Sequence, residues 1–208
     1  VPVALVMRAP HVIEDGPSTH AASLKDLIEY GRKNKGLLYA SSGNGSIQHI
    51  AGELLGQMAG IPVTHVPYKG AGPALADVAA GQVPASFTTL PTAAPHLKAG
   101  RLVALGVTAP TRLPDFPSVP TFAEIGLPAM TVQHWWGVLA PARMPEAGIE
   151  RLSRAIVGAM ASADVRERFV QAGVTAPPAT GPAALRSLIE TDSARWAAVV
   201  RDARITAD

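Results

Sequence analysis

Ser41-Ser42-Gly43-Asn44-Gly45-Ser46 gathers three hydroxyls, a carboxamide and two glycines between the strand-like Leu37-Leu38-Tyr39-Ala40 and the helix-like Ile47 to Met58. A turn of this kind leaves the first amides of the helix unpaired and aimed at one point, and Ser and Asn add further hydrogen-bonding groups. Gly43 and Gly45 let the backbone take positive φ and bring its N–H groups close to a bound group. The chemistry on offer is reception of a small anion. A strand-to-helix turn capped by Ser46 has the same composition, so the flanks must decide. A second small-residue junction follows at Tyr68-Lys69-Gly70-Ala71-Gly72, after the strand-like Val63 to Val66. In an open parallel sheet both junctions lie at the carboxyl ends of the strands, where ligands bind. Lys69 could place a cation there and Tyr68 a hydroxyl and a ring, against the alternatives of a solvated lysine and a packing tyrosine. Two such turns fit a dicarboxylate better than either alone.

Catalysis finds less support. His49 lies one turn into the helix that starts at Ser46, where its ring would meet a ligand or the loop carbonyls, and the helix N-terminus disfavours its protonation. Ser46 and His49 together invite a hydrolase reading, but Gly-x-Ser-x-Gly is absent and no acid is placed to orient the histidine. His65, His96 and His134 have no zinc-ligand spacing, so no metal is expected. The loop lacks the lysine of a phosphate-binding loop and the acidic residue of a dinucleotide fold, so no cofactor is expected either.

The elements that must hold these residues alternate. Val3 to Met7 and His11 to Ile13 read as two strands, and Ser23 caps an amphipathic helix through Leu24, Leu27, Ile28 and Tyr30. Strand, turn and helix then recur through Leu37–Met58 and Val63–Ala80, followed by a strand at Val83 to Thr88, a helix at Leu90 to Lys98 and a strand at Leu102 to Val107. Such alternation argues for a mainly parallel sheet flanked by helices, that is, an α/β fold. Pro-rich Ala109 to Pro120 should wrap the surface before a short helix at Thr121 to Ile125. A strand at Val132 to Leu139 carries Trp135 and Trp136, of which alternation sends one to the core. From Pro145 the spacing is helical, through Ile149–Met160, Val165–Gln171 and Pro182–Arg201.

The chain has 208 residues, 48% hydrophobic and 16% charged, which is enough for a core and a cleft. Its 18 Lys and Arg against 16 Asp and Glu are scattered, which argues against a nucleic-acid partner. No apolar run approaches a membrane span. Cysteine is absent, which removes disulfides and thiolate chemistry and is compatible with export.

Tyr39 to Ser46 with Gln48-His49 and Ala51-Gly52-Glu53-Leu54 resembles the most recognisable segment of the substrate-binding proteins of the tripartite tricarboxylate transporter family, the Bug receptors. His65-Val66-Pro67-Tyr68-Lys69-Gly70, Pro95-His96-Leu97-Lys98-Ala99-Gly100, Pro117-Ser118-Val119-Pro120-Thr121 and Trp136-Gly137 also match, in order along the whole chain. The resemblance implies a two-lobed periplasmic binding protein fold of type II, with two α/β lobes joined by paired crossover strands. It assigns residues 10–127 to the second lobe, and 1–9 with 128–208 to the first.

The implied protein is a periplasmic, extracytoplasmic receptor without catalysis that captures a small organic carboxylate or dicarboxylate for membrane permease subunits. Ser42, Gly43, Asn44, Ser46 and His49 are expected to hold one carboxylate, with Tyr68, Lys69, Thr88 and Thr89 lining the wall. Closure by hinging near Arg8–Pro10 and Thr131–Trp135 follows from the same resemblance. The family's Pro-Gly-Gly loop, part of the first lobe, does not occur ahead of Val1, so the N-terminal part of that lobe is expected to be missing. Many relatives carry an acidic residue where Thr88 stands, which weighs against an amino-acid ligand. The rival readings are an enzyme using Ser46 and His49 on a small carboxylate or ester, and a ligand sensor for a membrane kinase.

Overall fold

Ser23 opens the first helix by accepting the Asp26 N–H at 3.2 Å, while the Asp26 carboxylate takes the Ser23 hydroxyl at 2.8 Å and the Ala22 N–H at 3.2 Å. This reciprocal cap satisfies amides that a helix end would otherwise leave bare. The computed structural model describes residues 1–171 and 180–206. Its elements are β1 (Pro2–Asp15), α1 (Leu24–Lys33), β2 (Leu37–Ser41), α2 (Ile47–Ala59), β3 (Val63–Pro67), α3 (Ala71–Ala79), β4 (Ala85–Thr89), α4 (Leu90–Lys98) and β5 (Val103–Val107). A 3-10 turn at Pro128–Met130, β6 (Gln133–Leu139), α5 (Glu146–Ala161), α6 (Ala163–Gln171) and α7 (Pro182–Asp202) complete the order.

The chain divides into two compact units, Val1–Ala9 with His134–Ala198, and Pro10–Gln133 with Val199–Asp208. In the second unit the strands run β3-β2-β4-β1-β5. β2 is parallel to β3 and β4, but β1 is antiparallel to both β4 and β5. The mainly parallel sheet expected from alternation is therefore a mixed one. The reason is connectivity: β1 leads through α1 to β2 but pairs with β4 and β5 instead, so the handedness rule for crossovers between neighbouring parallel strands does not set its direction.

β1 is also one continuous strand rather than two. Pro10 suggested a break, yet it stands just outside the registers with β4 and β5, which begin at His11 and Val12, so no bond of those ladders needs its missing N–H. Alternation along β1 sends Ile13 into a core with Leu27, Tyr39, Leu55, Phe87 and Phe122, and Val12 into a second cluster with Leu90 and Val107. The helix expected at Thr121 to Ile125 is a single turn. Thr121 and Glu124 cap each other (Thr121 N–H to Oε2 2.8 Å, Glu124 N–H to Oγ1 3.1 Å), but Gly126 at φ 86° and Pro128 end the segment at once.

The first unit is leaner. The opening part of β1 and β6 supply it with strands, the Val1 ammonium donates to the Ala140 carbonyl at 2.6 Å, and Val3, Ala4, Ala140 and Ile149 form its apolar cluster. Trp135 and Trp136 are both half-buried, so neither takes the core position that alternation suggested. Trp135 keeps its indole N–H on Asp192 at 2.7 Å, and the Trp136 and His134 rings meet with centroids 4.0 Å apart, contacts that hold each large ring at the margin. No helix among the described residues is long and apolar enough to cross a membrane.

Candidate anion-binding loop

The parallel register of β2 with β3, Tyr39 opposite His65 and Ser41 opposite Pro67, brings the two small-residue junctions to one edge of the sheet. Two backbone bonds fasten them: Tyr68 N–H to the Ser41 carbonyl and Gly70 N–H to the Ser42 carbonyl, both 3.1 Å. Gly43 has φ 142° and Gly45 φ 69°, and a Cβ at Gly43 would sit 3.3 Å from the Tyr68 carbonyl, which explains the glycine. Ser46 is the N-cap of α2, accepting the His49 N–H at 3.2 Å while its hydroxyl donates to the Gly43 carbonyl at 2.7 Å. Ile47 and Gln48, at the first two helical positions, have amides that helix geometry leaves without an intrahelical acceptor. These are the donors the loop can turn toward an anion, with the positive end of the helix behind them.

Beneath the loop lies a network that sequence reading did not foresee. The Ser41 hydroxyl donates to the Gly43 carbonyl and accepts the Gly43 N–H, both at 3.1 Å, and stands 2.5 Å from His65 Nε2. With the one hydroxyl proton on Gly43, the tautomer consistent with these bonds has His65 donating through Nε2–H. The His65 and His49 rings stack with centroids 3.6 Å apart and planes 18° apart. His49 Nδ1 accepts the Gly45 N–H at 3.3 Å, which leaves the proton on Nε2, 4.0 Å from Glu53. Tyr39 donates toward the Glu53 carboxylate at 2.9 Å and the His49 carbonyl at 3.0 Å. Ser42 donates to the Gln48 side chain at 3.0 Å.

Burial disfavours charge on both rings. It pushes the His65 pKa down to about 4, with His49 adding to the effect, and lowers that of His49, where burial is the operative cause rather than the helix end. Desolvation raises the Glu53 carboxyl above its usual range, against the Tyr39 hydrogen bond. Two neutral imidazoles and a partly buried carboxyl thus support the loop.

Ser42, Gly43, Asn44, Ser46 and His49 all belong to the loop and the first turn of α2. Tyr68 and Lys69 sit in the adjoining turn; Lys69 is exposed and ion-pairs with nothing among the described residues, whereas Tyr68 donates to Asp77 at 2.6 Å. Desolvation, with Asp77 beside it, pushes the Tyr68 hydroxyl up to about 12. Thr89 ends β4 at the same edge, with its hydroxyl on Thr92 at 2.9 Å. Thr88 is not brought to the loop. It is fully buried and gives its hydroxyl to Glu14, which also receives Ser86 at 2.8 Å. His65, Glu53, Tyr39 and Gln48 are the supports that were missed, and the signal that could have found them is register: Tyr39, Ser41 and His65 share a face of paired strands.

A serine nucleophile is not assembled. Ser46 touches the His49 backbone and not its ring, and the hydroxyl that does meet an imidazole, Ser41, is fully buried. Among the described residues no three His, Cys, Asp or Glu groups gather as a metal site would require.

A family model described as the tripartite tricarboxylate transporter family receptor matches residues 1–205. The chain belongs to that receptor family. The resemblance read from the loop and its flanks is thereby established, and the family is one of binding proteins rather than enzymes. Protein BugT of Bordetella pertussis is 36% identical over 203 residues, covering 97% of this chain and 62% of its own length. The chain thus spans less than two thirds of that curated relative's length.

Among solved structures, Rhodopseudomonas palustris Rpa4515 with adipate superimposes with a TM-score of 0.89 at 32% identity, over 99% of this chain and 69% of that one. MatC from Rhodopseudomonas palustris with bound malate gives 0.89 at 32%, over 96% and 69%. The periplasmic binding protein BugD gives 0.89 at 27%, over 98% and 69%. The receptor has the α/β fold of these periplasmic binding proteins over 69% of their chains.

Proposed function

We propose that this receptor is an extracytoplasmic solute-binding protein that captures a small organic dicarboxylate and passes it to the permease of a tripartite tricarboxylate-type transporter. The observation that carries the reading is the α2 N-terminus, where the Ile47 and Gln48 amides lie behind the Gly43–Gly45 turn in a chain related to an adipate-bound and a malate-bound protein. One ligand carboxylate accepts from those amides and from the Ser42 and Ser46 hydroxyls, which turn from their internal acceptors; Asn44 closes over it and Lys69 supplies a nearby cation. The neutral His49–His65 pair keeps the floor of the loop rigid while this exchange of partners takes place.

Calorimetry and thermal melting with adipate and malate test it. At about one hundred times Kd a ligand specific to the folded state adds roughly 2.7 kcal/mol, a rise of about 8 °C for a chain of this size. Asn44→Asp keeps the shape and places a negative charge beside the anion, and should weaken adipate at least about tenfold through like-charge repulsion. Melting unchanged across a panel of C4 to C6 dicarboxylates, or equal binding by wild type and Asn44→Asp, would overturn the assignment.

A further inference from the structure

At the β5 edge of the second unit, on the far side of the sheet from β2 and β3, a recess of about 490 Å³ opens between α1, β5 and the segment from Ser118 to Leu127. Its volume is that of a small-molecule pocket. The floor is core: Leu24 and Leu105 are buried, and Ile28 and Leu127 pack against the same apolar cluster. Lys25, Ile28 and Arg32 fall on one stripe of α1, so two cations line this apolar hollow, and no Asp or Glu is among its lining residues. The acids nearby are committed elsewhere, Asp26 to the α1 cap, Glu29 to Lys33 at 4.0 Å and Glu124 to Arg112 at 3.0 Å. Arg32 spends one N–H on the Ala59 carbonyl at 3.1 Å, and Lys25 has no partner among the described residues.

We propose that this recess is a second binding site, separate from the anion loop, for an amphipathic monocarboxylate whose apolar body lies on Leu24, Ile28, Leu105 and Leu127 and whose carboxylate meets Lys25 and Arg32. The chemistry sorts ligands between the two sites. A short dicarboxylate would bury its second charge against the leucines here, which is costly, whereas an alkyl or aryl acid buries only carbon. The proposal does not rest on the loop's function, because none of the loop residues lines the recess.

Octanoate and its neutral amide, octanamide, are the probes, read by amide chemical-shift mapping on the full chain with adipate as the ligand of the other site. The site predicts saturable octanoate shifts in residues 22–32, 103–107 and 118–127 that adipate does not displace. Octanamide should bind roughly fivefold more weakly, as should octanoate to Lys25→Glu/Arg32→Glu, since each exposed ion pair contributes modestly. Ile125→Trp, a change at a half-exposed position on the rim, should block octanoate while leaving the adipate response intact. Equal binding of acid and amide, shifts centred on residues 41–49, no saturation below about 10 mM, or displacement by an acidic apolar peptide in preference to octanoate would each overturn it.

Discussion

A single carboxyl, Glu14, shows how the second unit handles charge. It is fully buried on the Val12 side of β1, held by Ser86 and Thr88, and desolvation pushes its pKa up to about 8, against the lowering effect of those two hydroxyls. With a folded pKa above the unfolded value near 4.5, its contribution is whole below pH 4.5 and is lost as pH climbs toward 8. Glu14→Gln is therefore expected to leave melting at pH 5 nearly unchanged and to raise it at pH 8.5, in a pH series of thermal melts. His65 works in the opposite direction: its pKa drops to about 4 from 6.5, so the stability it lends is whole above pH 6.5 and fades as pH falls toward 4. His65→Gln, which can still donate to Ser41, should flatten that acid limb and lower adipate binding less than His65→Ala does. Thr88 was read from the sequence as part of a binding wall, since nothing in the residue itself reveals a carboxyl across the ladder that claims its hydroxyl.

The element that carries the site is α2, and its packing is set by absent side chains. A Cβ on Gly52 would fall 2.1 Å from the Tyr39 ring, and one on Gly56 2.7 Å from Val63. Closeness to β2 and β3 is what lets Tyr39 reach the His49 carbonyl and Glu53. Gly52→Ala should push the helix outward, cost about 1–3 kcal/mol in denaturant unfolding and break the Tyr39 bonds. Ser46→Ala, which removes the cap without overpacking, should cost about 1 kcal/mol. The strand-turn-helix recurrence was legible because each element repeats its own hydrophobic period, and the loop was legible because glycine and serine cluster there. The mixed sheet was not, since the alternation of strands and helices does not encode that β1 pairs with β4 and β5 rather than with β2. The His65–Ser41 contact was hidden for a related reason: residues 24 positions apart meet only through strand register.

At the scale of the whole molecule the two units are unequal. The second holds three apolar clusters, while in the first α6 has no buried residue, Leu139 is 61% exposed and Val170 76%. Protection against hydrogen exchange should follow burial, with α6 amides exchanging at least roughly tenfold faster than those of β2 and β4. Mass-resolved exchange over minutes to hours would read this, and equal protection in both units would contradict it. The stacked imidazoles allow the second unit to be followed by itself without any label. Protons of each ring lie over the π-face of its neighbour 3.6 Å away, so ring currents shift His49 and His65 resonances upfield of ordinary histidine positions. Both residues belong to the second unit, so loosening of the first leaves these lines in place, whereas opening of the β2–α2–β3 region returns them to ordinary positions. The molecule thus carries its own spectroscopic gauge of whether the loop's foundation is intact.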